Sequence, residues 1–276
     1  MKLATRVGLA ACVALGAIVP ASANHSWSNY RWGRTSNPVQ LRINSAVTGT
    51  WSTYVNIAIN EWDASSKLDL KTFAPRSVSV SRKQCSPIPN EVLVCNDSYG
   101  KRGWLGIASV WLSGGRIAQA TTKLNDTYFA DPYYDTPAWR RLVTCQEIAH
   151  DFGLDHQDET FDNENLGSCM DYTDDPDGSL GDQLSNEHPN THDYAELRAI
   201  YDHIDTGGGG GGGGGGNGRG RGAASRDIFP TPADQRLEFD HPYQWGRQLR
   251  GNGHVALFDA GLGNDNHVFT FVIWAR

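Results

Sequence analysis

The chain has 276 residues and a formal net charge of −7 at pH 7, with 31 acidic side chains against 24 lysines and arginines. Nucleic-acid binding relies on a basic surface, so this charge argues against nucleic acid as a partner. After the N-terminal segment, no apolar stretch reaches the roughly 20 residues that span a bilayer, so we expect no membrane partner.

The N-terminus has the layout of a secretory signal peptide. Lys2 and Arg6 precede an apolar stretch over residues 7–19. The small residues 21–23 then provide a cleavage site before Asn24. We therefore predict a signal peptide over residues 1–23 and a secreted, extracellular mature chain. Cys12 offers an alternative lipoprotein site, but the apolar run before it is very short.

A glycine run divides the exported chain. Residues 207–216 are ten consecutive glycines, and further glycines continue to residue 222. Such a segment cannot bury apolar surface, so we predict a flexible linker over residues 207–222. It separates a body at residues 24–206 from a small β-rich tail at residues 223–276.

Hydrophobic periodicity in the body predicts an α+β fold. The first predicted elements are a strand over residues 39–43 and a helix over residues 50–65. Apolar, β-branched runs predict further strands, with Gly114 and Gly115 as a turn; these strands cover residues 78–80, 91–95, 106–111 and 117–124. A helix is expected to begin near Thr136 as N-cap with Pro137 in its first turn, and a last helix to run from residue 191 or 192 to residue 204.

The tail pattern predicts a β-hairpin. Its strands would cover residues 253–260 and 267–275, joined by a polar, glycine-containing loop. The final strand is too apolar to remain in water, and an isolated hairpin is only marginally stable. We therefore expect the hairpin to dock on the body, with binding to an extracellular surface or pairing with another chain as alternatives.

Four cysteines remain after removal of the signal peptide, and in an oxidising compartment they allow three pairings. We favour Cys85–Cys95, which closes a small loop, and Cys145–Cys169, which would join a helix to a later turn. The second bond should stabilise the fold by roughly 3 kcal/mol in the chain-entropy account. Buried free thiols and the crossed pairings remain alternatives.

The strongest chemical signal is the segment CQEIAHDFGLDH at residues 145–156, followed by SCMDY at residues 168–172. Gln146 and His150 are one helical turn apart, so both side chains can reach one cation. Glu147 lies one residue round the helix, where it can take a proton from a metal-activated water. Gly153 can adopt a positive φ that ends the helix and lets His156 complete the site.

These residues resemble the pattern H-E-x-x-H-x-x-G-x-x-H followed by a Met-turn, which is typical of the metzincin zinc proteases. The motif-specific likeness covers residues 146–172, and the order of elements is similar over the rest of the body. The resemblance implies a zincin-like domain in which a twisted sheet and helices lie over the Met-turn and a C-terminal helix. It also implies roles for single residues: zinc ligands His150 and His156, general base Glu147, oxyanion stabiliser Tyr172, and structural residues Gly153 and Met170.

Gln146 departs from the pattern, because a histidine ligand stands there in the family. An amide oxygen is a weaker zinc donor than imidazole. Three alternatives follow: Gln146 ligates Zn²⁺ loosely, His188 or His192 supplies the missing nitrogen, or the metal is lost. The retained Glu147 argues against loss of the metal and favours activity, because an unpaired buried carboxylate is costly and has no structural role in an inactive site.

The sequence therefore predicts a secreted, zinc-dependent metalloendopeptidase that hydrolyses protein or peptide bonds as a monomer. The alternative is a metal-poor, inactive metzincin-like binding module. Ca²⁺ is a weaker expectation, because the acidic run after the Met-turn lacks the EF-hand glycine and favours a solvated turn; the run comprises Asp174, Asp175, Asp177 and Asp182. No propeptide of useful length precedes the first strand, so inhibition would come from elsewhere, with the tail as a candidate.

Overall fold

The computed structural model describes residues 25–28, 30–202, 204–205 and 239–276. The predicted signal peptide, the glycine-rich linker and the first part of the tail lie outside the described residues. Among the residues described, no helix is both long and apolar enough to cross a bilayer.

The described chain is an α+β structure built on a mixed sheet of nine strands with four helices. The helices are α1 Gly49–Asp63, α2 Val78–Gln84, α3 Pro137–His150 and α4 Thr191–Ile200. The strands are β1 Arg31–Trp32, β2 Val39–Ala46, β3 Leu68–Phe73, β4 Val92–Asp97, β5 Trp104–Ser113, β6 Arg116–Asn125, β7 Arg247–Gly251, β8 Val255–Gly263 and β9 Asn266–Trp274. Their order across the sheet is β3-β2-β4-β6-β5-β9-β8-β7, with β1 beside β6.

The body contributes the half of the sheet that carries α3. Strands β3, β2, β4 and β6 run parallel to their neighbours, and β5 returns antiparallel to β6. Helix α1 lies between the parallel strands β2 and β3 in the chain, as such a crossover requires. Its apolar stripe, including Trp51 and Trp62, packs with Val143 and Leu142 of α3 in one buried cluster. This packing fixes α3 against the sheet.

The tail completes the same sheet. Strand β9 pairs antiparallel with β5 along its length, from Trp104 opposite Trp274 to Ser113 opposite Asn266. The expected hairpin is present as β8 and β9, and its docking agrees with the expectation from the sequence. Alternate β9 side chains enter two different cores, because side chains of a strand alternate between faces. Phe269, Phe271 and Ile273 join the α3 side, whereas Val268 and Val272 join a second cluster with Trp104 and Trp245.

The predicted helix cap, the predicted turn and both favoured disulfides are confirmed. The Thr136 side chain accepts a hydrogen bond from the Trp139 amide at 3.2 Å, and Pro137 opens α3. Gly114 and Gly115, with φ of 55° and 76°, form the turn between β5 and β6. Both favoured disulfides are present, Cys85–Cys95 and Cys145–Cys169.

The predicted strand over residues 78–80 is wrong, because this segment is the start of helix α2. A strand needs side chains that pack on a buried face, and no residue of α2 is buried. Cys85 ends the helix in the left-handed region at φ 44°, where its disulfide holds it beside β4. Strands β1, β3 and β7 were not predicted.

The last helix ends at Ile200 rather than at residue 204. Tyr201 leaves the helical conformation, and its hydroxyl donates to the Phe152 carbonyl at 2.9 Å. The Arg34 guanidinium donates to the Tyr201 carbonyl at 2.5 Å, so this carbonyl has a partner outside the helix. These tertiary contacts end α4 before its apolar pattern does.

Candidate metal and active site

Helix α3 carries the first half of the candidate site. The helix ends at His150, and Gly153 then turns the chain with φ 93°. A side chain could not stand at this turn, because a Cβ on Gly153 would lie 2.4 Å from the Tyr30 carbonyl oxygen. The turn brings His156 back to the end of the helix, as the spacing in the sequence predicts.

His150 and His156 face each other through their Nε2 atoms, which are 3.2 Å apart. The Nδ1 atom of His150 lies 2.8 Å from the Leu154 carbonyl oxygen, and that of His156 lies 2.9 Å from Glu159 Oε1. Because a carbonyl and an ionised carboxylate only accept hydrogen bonds, each Nδ1 is the donor. In the neutral rings, both Nε2 lone pairs therefore point into the same space.

Gln146 lies on the same face of α3, one turn before His150. Its side chain is fully buried, and neither its Oε1 nor its Nε2 has a hydrogen-bond partner within the described structure. An amide left unpaired in the interior costs free energy, so this position is unusual in a packed core. The unpaired amide is consistent with a ligand position.

Glu147 is buried against the sheet at the junction of β5 and β9. Neither carboxylate oxygen makes a hydrogen bond of good geometry, although backbone groups of Ala108 and Ile273 lie close enough to stabilise its charge. Burial first, and then the Asp151 carboxyl, raises the pKa of Glu147 well above its usual value. Gly106 makes room for it, because a Cβ there would lie 2.9 Å from Glu147 Oε1.

The segment of Met170 and Tyr172 runs beside the segment of His156. The Met170 carbonyl accepts from the Gln157 amide at 2.6 Å, and the Tyr172 amide donates to the Asp158 carbonyl at 3.2 Å. The Cys145–Cys169 disulfide joins this segment to α3. Tyr172 is buried, which raises the pKa of its phenol, and its hydroxyl lies 3.5 Å from the Trp274 carbonyl oxygen.

The tail covers the histidine pair. The Phe271 ring of β9 stacks on the His150 ring with centroids 4.0 Å apart and planes inclined by 10°. Arg250 of β7 forms ion pairs with Asp155 and with Glu159, the latter at 2.9 Å. The site is therefore closed by an aromatic ring and by a charged contact from the same tail.

Both alternative histidines have other partners within the described structure. His188 Nδ1 lies 2.7 Å from Glu61 Oε1, and the His192 ring stacks on His25 instead. The acidic run behaves as a turn, because the Asp175 and Asp177 carboxylates accept backbone N–H groups two to five residues ahead.

Three contributors to the site were missed by sequence reasoning. Glu159, three residues after His156, orients its ring, and that spacing was a signal that could have been used. Phe271 and Arg250 belong to the tail and come from positions far along the chain. Alternation within β9 places Phe271 on a buried face, but nothing local to it indicates which surface it covers.

Comparison with known proteins adds no family assignment. A scan against models of protein families finds no match, and a search of curated proteins finds no significant match.

Proposed function

We propose that this protein is an exported, zinc-dependent endopeptidase of metzincin type, held closed by its own C-terminal strands. The observation that carries the proposal is the approach of His150 Nε2 and His156 Nε2 to 3.2 Å. Two nitrogen ligands at zinc distances of about 2.0–2.1 Å, with a near-tetrahedral angle, are separated by about 3.3 Å.

The hydrogen bonds at Nδ1 support a metal between the rings. Each Nδ1–H is donated to an oxygen, which leaves an acceptor lone pair on each Nε2. Two acceptors facing each other repel unless a metal ion or a shared proton lies between them. Donation of the far ring N–H to a carbonyl or carboxylate is also how metal-binding histidines are commonly oriented.

Gln146 fits the third ligand position through Oε1, because its amide is buried and unpaired beside His150. Zinc bound to these three residues would supply a Lewis acid that activates water and polarises a scissile carbonyl. The chain's own residues supply the rest. Glu147 takes the proton of the attacking water and passes it to the leaving amine, and Tyr172 donates a hydrogen bond to the developing oxyanion.

The tail explains how such a site is kept inactive. Strand β5 would be an edge of the body sheet if β9 were absent, and an exposed edge binds extended peptides by adding a strand. In the closed state β9 takes this place, and burial raises the pKa of Glu147, which disfavours the ionised form that acts as a base. Release of β9 lets water reach Glu147, so its pKa falls towards the usual value.

The test measures zinc content and peptide turnover in the full-length chain. A specific protease site inserted into residues 207–216 allows the tail to be freed by cutting. If the open state of the intact chain is a minor one of roughly 0.1–10%, cutting and dilution should raise turnover about tenfold to a thousandfold. Glu147→Ala in the cut chain should abolish turnover while the zinc remains bound.

The alternative function has its own signature. If the wild-type chain holds no zinc and cuts nothing even after release of the tail, while Gln146→His gains both, the natural protein is the inactive binding module. A cut chain that binds zinc but hydrolyses no peptide would also contradict the proposal.

A further inference from the structure

A second cluster of metal-binding side chains lies at the start of α4. It consists of His25, His192 and Asp193, whose ligand atoms lie within 4.8 Å of one another. The two imidazole rings stack with centroids 4.9 Å apart and planes inclined by 16°. The cluster shares no side chain with the site of His150 and His156.

The hydrogen bonds of His25 leave one nitrogen directed into the cluster. Its Nδ1 lies 2.8 Å from the Asp155 carbonyl oxygen, so Nδ1 carries the hydrogen and Nε2 of the neutral ring is an acceptor. That Nε2 lies 3.5 Å from Asp193 Oδ1, which is also an acceptor. His25 is 4% exposed and Asp193 is fully buried, so water does not easily supply the missing donor.

Asp193 is held in place by its other oxygen. Oδ2 accepts hydrogen bonds from Ser168 Oγ and from the Asn190 amide, both at 2.7 Å. Within the described residues, Oδ1 accepts no hydrogen bond, and His25 Nε2 and His192 Nδ1 make none either. Three buried polar atoms thus converge, and two of them, His25 Nε2 and Asp193 Oδ1, are acceptors.

We propose that His25 Nε2, His192 Nδ1 and Asp193 Oδ1 bind a divalent transition-metal ion, with Zn²⁺ as the best match. Zinc accepts imidazole nitrogen and carboxylate oxygen at about 2.0–2.2 Å, which corresponds to a ligand separation of roughly 3.4 Å at a tetrahedral angle. The observed 3.5 Å between His25 Nε2 and Asp193 Oδ1 agrees with this separation.

The charges and connections around the cluster suit a structural ion. Glu196, one helical turn beyond His192, adds a second carboxyl close to the imidazole. The ion would tie His25 to the start of α4, and the His25–Asp155 hydrogen bond would extend this tie to the loop that carries His156. It therefore supports the neighbouring site without taking part in its chemistry.

The test counts metal in the full-length chain. A background carrying His150→Gln and His156→Gln removes the first site, and titration with Zn²⁺ or Co²⁺ then reports the second alone. We expect about one equivalent of metal in this background, and its loss on addition of His192→Gln. His188→Gln is the matched control, because His188 pairs with Glu61 outside the cluster. His25→Gln should have the same effect as His192→Gln.

Two readings would overturn the proposal: a background that binds no metal, or one that binds as tightly after His192→Gln as before. If the background does not fold by circular dichroism, the wild-type chain replaces it, and His192→Gln should lower its zinc content by about one equivalent. Failure of the proposed peptidase site can be told apart from failure of this second site. If only the peptidase site fails, the wild type still holds metal that His192→Gln removes and His150→Gln does not. Addition of zinc should raise the unfolding temperature of every variant that keeps the cluster.

Discussion

At the scale of single residues, the candidate site joins two well-oriented histidines to one weak donor. His150 and His156 have their rings fixed by hydrogen bonds at Nδ1, whereas no described residue forms a hydrogen bond with the Gln146 amide. An unrestrained amide must be ordered when it binds a metal, and its neutral oxygen is a poorer zinc donor than imidazole. Position 146 should therefore limit the zinc affinity.

Gln146→His should raise the zinc affinity of the full-length chain. Loss of a residue that merely orients a ligand costs about 10–100-fold in affinity, so replacement of the ligand itself should change it by at least about tenfold. Competition with a chelator of known affinity measures the change. Gln40→His is the matched control, because Gln40 is exposed on β2 and bonds Asp69 away from the site. An unchanged affinity in Gln146→His would remove position 146 from the ligand set.

Glu159 should make the stability of the closed state depend on acid pH. Partial burial alone would raise the pKa of Glu159, but His156 and the Arg250 guanidinium lower it to about 2 from the usual 4.5. The ionised carboxylate is thus favoured by folding, so its contribution is complete above about pH 4.5 and is lost as the pH falls towards 2.

The measurement is chemical denaturation between pH 5 and pH 2 with the free energy of unfolding as the readout. Glu159→Gln should flatten the decline of stability across this interval, because it removes the group that titrates. Glu164→Gln, an exposed carboxyl of the same loop, is the control and should leave the slope as it is in the wild type. Equal slopes in all three chains would exclude Glu159 as the source.

At the scale of elements, β9 occupies the edge of β5, where an extended peptide could otherwise add a strand. It pairs with β5, places Phe271 on His150, and brings the backbone of Ile273 to Glu147. The opposite face of the same strand packs with Trp104 and has no contact with the histidines. The two faces can therefore be tested separately.

Phe271→Ala should destabilise the closed state and uncover His150. Truncation of a buried phenylalanine costs about 3–5 kcal/mol in folding free energy, and here it also removes the ring over the site. The free energy of unfolding should fall and the peptide turnover should rise in the same variant. Val272→Ala loosens the neighbouring position on the other face and should raise turnover less. An equal rise of turnover in both variants would mean that overall destabilisation, and not the ring of Phe271, controls access of substrate to the site.

The two disulfides should differ in their effect on zinc. Removal of Cys145–Cys169 by a double alanine substitution should cost roughly 3 kcal/mol in stability, and removal of Cys85–Cys95 slightly less. The first bond joins α3 to the segment of Met170, whereas the second joins α2 to β4. Zinc affinity should therefore fall only when Cys145–Cys169 is lost. A loss of affinity in both double variants would show that overall stability, not the position of the Met170 segment, controls the site.

At the scale of the whole molecule, body and tail are parts of one hydrogen-bonded sheet connected through the glycine-rich segment. A flexible linker of the predicted kind keeps the tail at an effective concentration of about millimolar, which favours the closed arrangement. The intact chain should accordingly unfold in a single transition, because β5 and β9 share both cores.

Cutting an inserted protease site within residues 207–216 should make closure depend on protein concentration. At high concentration the cut tail should remain bound, and on dilution it should leave and turnover should rise. Size-exclusion chromatography and turnover over a dilution series measure this. The uncut chain is the control and should show constant specific turnover. If the specific turnover of the cut chain were also constant on dilution, the tail would not control the site.

The sequence by itself determined the elements whose signals are local. Thr136 and Pro137 mark the start of α3, Gly114 and Gly115 mark a turn, and the spacing of Gly153 and His156 predicts the return of the chain. Where tertiary contacts outweigh local pattern, the expectations were wrong, as in α2 and at the end of α4. The disulfide partners were favoured from their places in the chain, and the structure decided between the three pairings.

Only the tertiary structure decided which edge the tail occupies and what it covers. Every strand offers the same backbone donors and acceptors, so alternation in β9 predicts a buried strand but not its neighbour. The pairing with β5 is accompanied by contacts of Phe271 with His150 and of Arg250 with Asp155 and Glu159, between residues far apart in the chain. Such contacts have no period or spacing in the sequence, because they exist only after both parts have folded.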